Sequence, residues 1–470
     1  METVPQEIFL AILDSLKATP RRMRRLMTVS RRWLQVIERS QSRFESLTIT
    51  NTDMPVFSTL FRPTVAHRKA LVKEVELKIN LPEYDAENYN QHEEANNQIF
   101  STAVLDLFRV LETFNEDEDV IRNARKGDRL HLRISYITSP SDKYNKDHRG
   151  TYIKLLNHEK LPTLSCVSRF DSGHCSSSRK LDPASGILIA SKLKDLGTSY
   201  TDYYDNRVYV SDETRKIMRS AFASALAAYS YSLGEFRLGV GASFPLDEAS
   251  ILPNYVPSSS RVDPMNLAMH EFIQRTDVSE FNLSCRHVIS PGLFWPYDDT
   301  LGPIPTPLWP NLKEVQIFPV AYTPDGNWYF MGDPNIASHS EFIGANRDND
   351  TQELHDTDDT DNIFRSIPIP ERMNPLLIAM ARAVRFAPSL EQVDLRFGEI
   401  DLSPRYVKVS GIKRQFDVYY RARGTPSPFY EGPLTQKPSL ICEVQDWRLD
   451  KGVEKLWMEA LGPDGEIVYH

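Results

Sequence analysis

A short phrase of the form Leu-x-x-Val/Leu-x-Leu/Ile recurs through the middle of this 470-residue chain and constrains its fold more than any other feature. It reads Leu71…Val75-Glu-Leu77-Lys-Ile79, Leu130-His-Leu132-Arg-Ile134, Leu161…Leu164…Val167 and Leu193…Leu196. It returns as Phe236-Arg-Leu238, Val278…Phe281-Asn-Leu283, Leu312…Val315-Gln-Ile317 and Leu390…Val393-Asp-Leu395. Alternation over so few residues is a strand signal. Several copies follow stretches with helical spacing, at 99–114, 213–229, 265–273 and 373–386. Helix then strand, repeated, predicts a parallel sheet with helices on the other side. The phrases are spaced too unevenly for a consensus repeat of about 20–29 residues. They predict an irregular solenoid with loop insertions, the alternative being a non-repeating α/β domain with parallel strands.

Beyond residue 400 the pattern changes. Residues 415–420, 440–447, 456–460 and 466–469 alternate like antiparallel strands, with Pro463-Asp464-Gly465 as a turn between the last two. This predicts a C-terminal segment that caps the open end of the repeat.

Composition narrows the class. Hydrophobic residues make up 41% of the chain and charged residues 25%, the balance of a folded globular protein. Lys and Arg number 55 against 64 Asp and Glu, a net charge of −9. That argues against a protein that mainly grips nucleic acid or an anionic membrane surface. Four cysteines form no disulfide framework and point to a reducing compartment. The first sixteen residues carry Glu2 and Glu7 ahead of any Lys or Arg, with an apolar run only from Ile8 to Leu13, unlike a secretory signal. The most apolar stretch further on, Ala221 to Ala228, is far short of the ~18 residues of a membrane span. The expected location is the cytoplasm, the nucleus or both.

Residues 1–50 stand apart. Nine Lys and Arg against five Asp and Glu make this segment +4 in a chain of −9, which suggests a separate module. Pro5 suits a first helical turn and Glu7 a positive helix start, and Ile8, Phe9, Ile12, Leu13 and Leu16 form one apolar stripe. Thr19-Pro20 opens a second helix with Met23, Leu26 and Met27 inward. Ser30 caps a third, whose inner face is Trp33, Leu34 and Ile37. A bundle this small buries little surface and needs a partner or the following domain.

Val4-Pro5-Gln6-Glu7-Ile8, Ile12-Leu13, Leu16, Leu26, Val29-Ser30-Arg31-Arg32-Trp33 and Ile37 resemble an F-box. That family's pattern is a Leu-Pro-x-Glu opening, an Ile/Leu stripe and a Val-Ser/Cys-Lys/Arg-x-Trp segment. Order and spacing fit over residues 2–49, about a tenth of the chain, with Val4 where the family more often has Leu. The region behind it resembles the irregular leucine-rich-repeat-like part of many fungal F-box proteins. The resemblance implies an α/β protein with a three-helix F-box over residues 1–50, an irregular leucine-rich-repeat-like solenoid over 51–400 and an antiparallel cap over 401–470. It further implies docking to the Skp-type adaptor of an SCF (cullin-RING) ubiquitin ligase. Pro5, Ile8, Ile12, Leu13, Leu26, Val29 and Trp33 would carry or build that contact, and the repeat would select a protein for ubiquitination. Such a protein has no active site and no cofactor. The alternatives are an F-box protein that works with the adaptor outside the ligase, or an enzyme with a helical N-terminal cap. A DNA-binding helix-turn-helix fits poorly, because Arg21, Arg22, Arg24 and Arg25 would grip phosphates only and the remainder of the chain is acidic.

In a parallel array the post-strand loops leave on one edge, which usually carries binding. Aromatic residues cluster in three such loops: Tyr200, Tyr203 and Tyr204; Phe294, Trp295 and Tyr297; and Tyr322, Trp328, Tyr329 and Phe330. Large aromatics anchor protein interfaces. Tyr203, Tyr204, Trp295, Tyr297, Trp328 and Tyr329 are therefore the candidate substrate contacts, the alternative being that these loops pack down locally. The acidic run at 347–362 lacks the glycine of a calcium loop and reads as a solvated insertion. Cys166, His174 and Cys175 lack a paired C-x-x-C and make a poor zinc set. No phosphate-binding, metalloprotease or nucleophile-elbow motif is present in the sequence, and no metal site is expected.

Overall fold

A computed structural model describes residues 8, 25–40, 44–84, 92–125, 129–143, 152–173, 179–205, 211–242, 248, 251–258, 260, 262–297, 306–332, 365–398, 415–428 and 433–470. The protein is mixed α/β with a mainly parallel sheet. It divides into two compact units, Met1–Asp182 with Leu188–Ser199, and Pro183–Ile187 with Tyr200–His470.

The first unit runs α1 (Arg31–Ser40), β1 (Ser46–Thr50), α2 (Met54–Leu60), β2 (Glu74–Asn80), α3 (Glu93–Glu112), α4 (Glu118–Arg125), β3 (Leu130–Thr138), β4 (Tyr152–Ile153), β5 (Val167–Ser172) and β6 (Lys180–Leu181). Strands β1, β2, β3 and β5 pair in that order and all in parallel, with Val75 opposite both Leu47 and Leu132. The short β4 and β6 pair aside. Helix α3 buries Phe100, Val104, Leu107, Phe108 and Leu111, one stripe at helical spacing.

Helix α5 (Pro183–Ala190) and strand β7 (Thr198–Asp205) run across the division. The second unit continues with α6 (Asp212–Ala228), β8 (Glu235–Ala242), α7 (Pro264–Arg275), β9 (Glu280–His287), β10 (Glu314–Pro319), β11 (Phe330–Gly332), β12 (Arg365–Pro368), α8 (Pro370–Phe386), β13 (Gln392–Arg396), β14 (Asp417–Arg421), β15 (Ser439–Glu443), α9 (Lys451–Leu461) and β16 (Glu466–Tyr469). Its strands pair in the order β8, β9, β10, β13, β14, β15, β16. Local chemistry sets the helix ends. Ser211 caps α6 by accepting from the Thr214 amide, and Asp263 caps α7 by accepting from the Asn266 amide, with Pro264 at the first turn. Arg275, in the last turn of α7, donates to the carbonyls of Leu226, Ala227 and Tyr229 at the end of α6.

Within each unit the order in space follows the order in sequence. Parallel crossovers are right-handed, so successive ones deliver their helices to the same face of the sheet. Parallel sheets usually carry helices on both faces. Here the outward side chains of β2, β10 and β13 are half-exposed while their neighbours are buried, a strict alternation. Strand β14 is buried at every residue and β15 at all but the last, so this open face ends at β13.

All the recurring phrases but Leu193…Leu196 end in strands, and in several the strand starts late. Leu71, Leu312 and Leu390 precede β2, β10 and β13, and Leu164 and Leu193 meet only in an isolated parallel bridge. The C-terminal expectation needs correcting. Residues 456–460 lie in helix α9, because Val453, Trp457 and Leu461 at i, i+4 and i+8 form its buried stripe; Met458 faces solvent. This helix lets β15 and β16 pair in parallel, while β13–β14 and β14–β15 are antiparallel. The Pro463-Asp464-Gly465 turn joins α9 to β16, and a side chain at Gly465 would collide with Leu461.

Candidate functional site

The N-terminal segment is described from residue 25 onward, with Ile8 alone ahead of it. A helical turn at 25–27 closes as the Val29 amide donates to Leu26 O (3.1 Å) and the Thr28 hydroxyl to Arg25 O (2.8 Å). Ser30 Oγ then accepts from the Trp33 amide at 3.3 Å, the cap read from the sequence. Val36 and Ile37 form a small buried core on which Leu26, Met27 and Trp33 pack, half-buried. Val29 is 61% exposed and Ile8 49%. Pro5, Ile12 and Leu13 lie outside the described residues.

The open sheet face carries polar residues in register. In the first unit Ser46, Glu74 and His131 form one row, and Thr48, Glu76 and Arg133 the next. Charges there are paired: Arg133 lies 3.3 Å from Glu74 and 3.4 Å from Asp171, and Lys78 lies 3.6 Å from Glu76. Burial by itself would raise the Glu76 carboxyl. Hydrogen bonds donated by Ser135 (2.6 Å) and Thr48 (3.0 Å), with the Lys78 ammonium, more than offset it and hold Glu76 below the usual carboxylate range.

In the second unit Glu235, Glu280 and Glu314 stand in register on β8, β9 and β10. Arg237 pairs with Glu235, and Gln316 donates to Glu314. Among the described residues Glu280 has no ion-pair partner. Burial, then the flanking Glu235 and Glu314 carboxylates, push it above its ordinary value against the pull of Arg237. The adjoining row runs Arg237, Asn282, Gln316 and Asp394, and Asp394 is paired with Arg421 of β14.

The aromatic candidates are dispersed. Pro291–Leu293 forms a 3₁₀ turn packed against both α7 and α8, so the segment after β9 sits in the helical layer. There Trp295 is buried against Phe386 and Tyr297, at ring-centre distances of 5.3 and 5.2 Å. His270 of α7 donates from Nδ1 to Leu293 O (3.0 Å), which leaves Nε2 to accept from the Tyr297 hydroxyl (3.0 Å). Burial lowers the His270 imidazole to about 4. After β10, Tyr329 is fully buried and donates to Ile289 O at 3.0 Å, whereas Trp328 is half-buried beneath the Arg365 guanidinium. Tyr203 and Tyr204 lie in β7, and their side chains are outside the description.

Cys166 is buried, its thiol donates to Leu111 O, and burial pushes it up to about 12, far from a reactive thiolate. His174, Cys175 and the acidic run at 347–362 lie outside the described residues. Among the described residues no three His, Cys, Asp or Glu are grouped to hold a metal ion. A shallow depression of about 440 Å³ is lined by Lys69, Glu112, Thr113, Glu116 and Asp117. Among the described residues no helix is long and apolar enough to cross a membrane. No protein-family model matches the chain, and no curated protein matches it.

The polar rows escaped the reading of loops, although the x positions of each phrase spell them out: Glu76 and Lys78, His131 and Arg133, Asn282, Gln316, Asp394.

Proposed function

We propose that this chain is the substrate-recognition subunit of an SCF-type ubiquitin ligase, with residues 1–50 as an F-box and the irregular repeat as the platform for a target protein. The observation that carries this reading is the ordered series from Val4-Pro5-Gln6-Glu7 to Val29-Ser30-Arg31-Arg32-Trp33. Two structural features support it. Ser30 caps α1 where an F-box would start its third helix, and Val29 leaves its isopropyl group in water beside half-buried Leu26 and Trp33, apolar surface for an adaptor to cover. The one-sided sheet supplies the platform, because half-exposed polar rows on rigid strands present fixed donors and acceptors.

Such a protein works by effective concentration. Adaptor and target held on one chain meet as if in the same molecule, and the ubiquitin-transfer chemistry belongs to the ligase. On the substrate side, the buried Tyr329 and Trp295 cannot touch a docked protein without rearrangement, which leaves Trp328 and Tyr297 as the accessible members among the described side chains of the aromatic set.

Reconstitution with purified adaptor and cullin–RING tests the reading. The chain should join the cullin complex only when adaptor is present. Binding to adaptor without entry into the cullin complex would move its role outside the ligase, and binding to neither would sink the F-box reading.

A further inference from the structure

One buried carboxylate ties α1 to the segment that leads into β2. Glu38 is 4% exposed. Arg68, in the 3₁₀ segment Pro63–Leu71, grips it with two prongs, Nη2 to Oε1 at 2.6 Å and Nε to Oε2 at 3.0 Å. His67 Nε2 lies 2.7 Å from the same Oε2. Arg68 also donates from Nη1 to Leu60 O (3.3 Å) at the end of α2, and its guanidinium lies over the Phe44 ring at 5.1 Å. The end of α1, the approach to β1, the end of α2 and the approach to β2 therefore converge on a single ion cluster.

Helix α1 also packs Val36, Ile37 and Trp33 with Leu26 and Met27 of the preceding turn. Apolar packing is non-directional and tolerates small rotations. A two-pronged guanidinium–carboxylate contact fixes distance and angle together, and a buried carboxylate that loses its partners is strongly disfavoured. The tight, directional contact thus fixes the end of α1 against the segment that leads into β2.

We infer that Glu38 is the positioning residue that locks α1 onto the first strands, so that α1 and the sheet of the first unit move as one body. Its consequence for ligase geometry rests on the function proposed above; the lock itself does not.

Hydrogen exchange on the full chain tests this, with Glu38→Gln as an isosteric change and Arg68→Lys as a milder one. In Glu38→Gln the amides of 31–40 and 63–71 should exchange about tenfold faster or more, while α8 keeps its protection. Arg68→Lys should show a smaller effect in the same two stretches. Unchanged protection over 31–40 in both variants would overturn the inference. Equal loss of protection in α8 would overturn it as well, by making Glu38 a general stability residue. Adaptor co-purification separates the two proposals: a wild-type chain that ignores the adaptor but shows this exchange pattern keeps the lock and loses the F-box.

Discussion

The outward polar residues of the strands are wired oppositely in the two units. In the first, Glu74 and Glu76 meet Arg133, Lys78, Ser135 and Thr48, and nearly every charge is answered by a neighbour. In the second, Glu235, Glu280 and Glu314 stand side by side, and the middle one has no ion-pair partner among the described residues. The core faces beneath are alike, with Val75, Leu77 and Leu132 in one unit and Phe281, Leu283 and Ile317 in the other, all almost inaccessible. Burial of the inward residues holds both units together. The outward charges are free to vary, stabilising one face and straining the other.

The largest expected effect lies where the units should agree. Leu77→Ala and Leu283→Ala should each cost about 2–5 kcal/mol in denaturant unfolding, the range for cavities in a packed core. A near-zero cost in one unit would break the equivalence of the core faces. Next, Glu76→Gln should destabilise by about 1–3 kcal/mol at neutral pH, because it weakens charge-assisted hydrogen bonds. Glu280→Gln should have the opposite sign and stabilise by about 0.2–1 kcal/mol, the scale of like charges directly opposed across strands. A destabilised Glu280→Gln variant would remove the contrast between the two rows.

The pH dependence sharpens this further. The Glu76 carboxyl is lowered in the folded state, so its contribution is present above the unfolded value near ~4.3 and is lost as pH falls through the lowered folded value. The Glu280 carboxyl is raised, so its penalty is absent at low pH and grows as pH rises from ~4.3 through the raised folded value. Unfolding midpoints between pH 3 and 7 should therefore show the gap between wild type and Glu280→Gln opening on the way up. The gap for Glu76→Gln should close on the way down.

Strand positions were legible because period two survives even in irregular repeats, and the helices ahead of β3, β9 and β13 because their stripes are long. Helix α9 misled, since its Leu456, Met458 and Ala460 mimic a strand unless Val453, Trp457 and Leu461 are weighed with them. The burial of Trp295 was illegible for another reason. Composition marks an aromatic cluster but not whether it faces water, and only the packing of Pro291–Leu293 between α7 and α8 puts Trp295 inside. The Glu38–Arg68 lock depends on partners 30 residues apart with no motif between them, so nothing in the pattern announces it.

Titration of the purified full chain with purified Skp-type adaptor tests the central claim most directly, with Val29→Asp beside the wild type. Val29 is exposed, so the substitution should leave the fold intact while placing a charge in the proposed adaptor contact. The account predicts saturable one-to-one binding by the wild type and at least about a tenfold loss in Val29→Asp, the size of one disrupted interface contact. No binding by a folded wild type, or equal binding by both proteins, would contradict it.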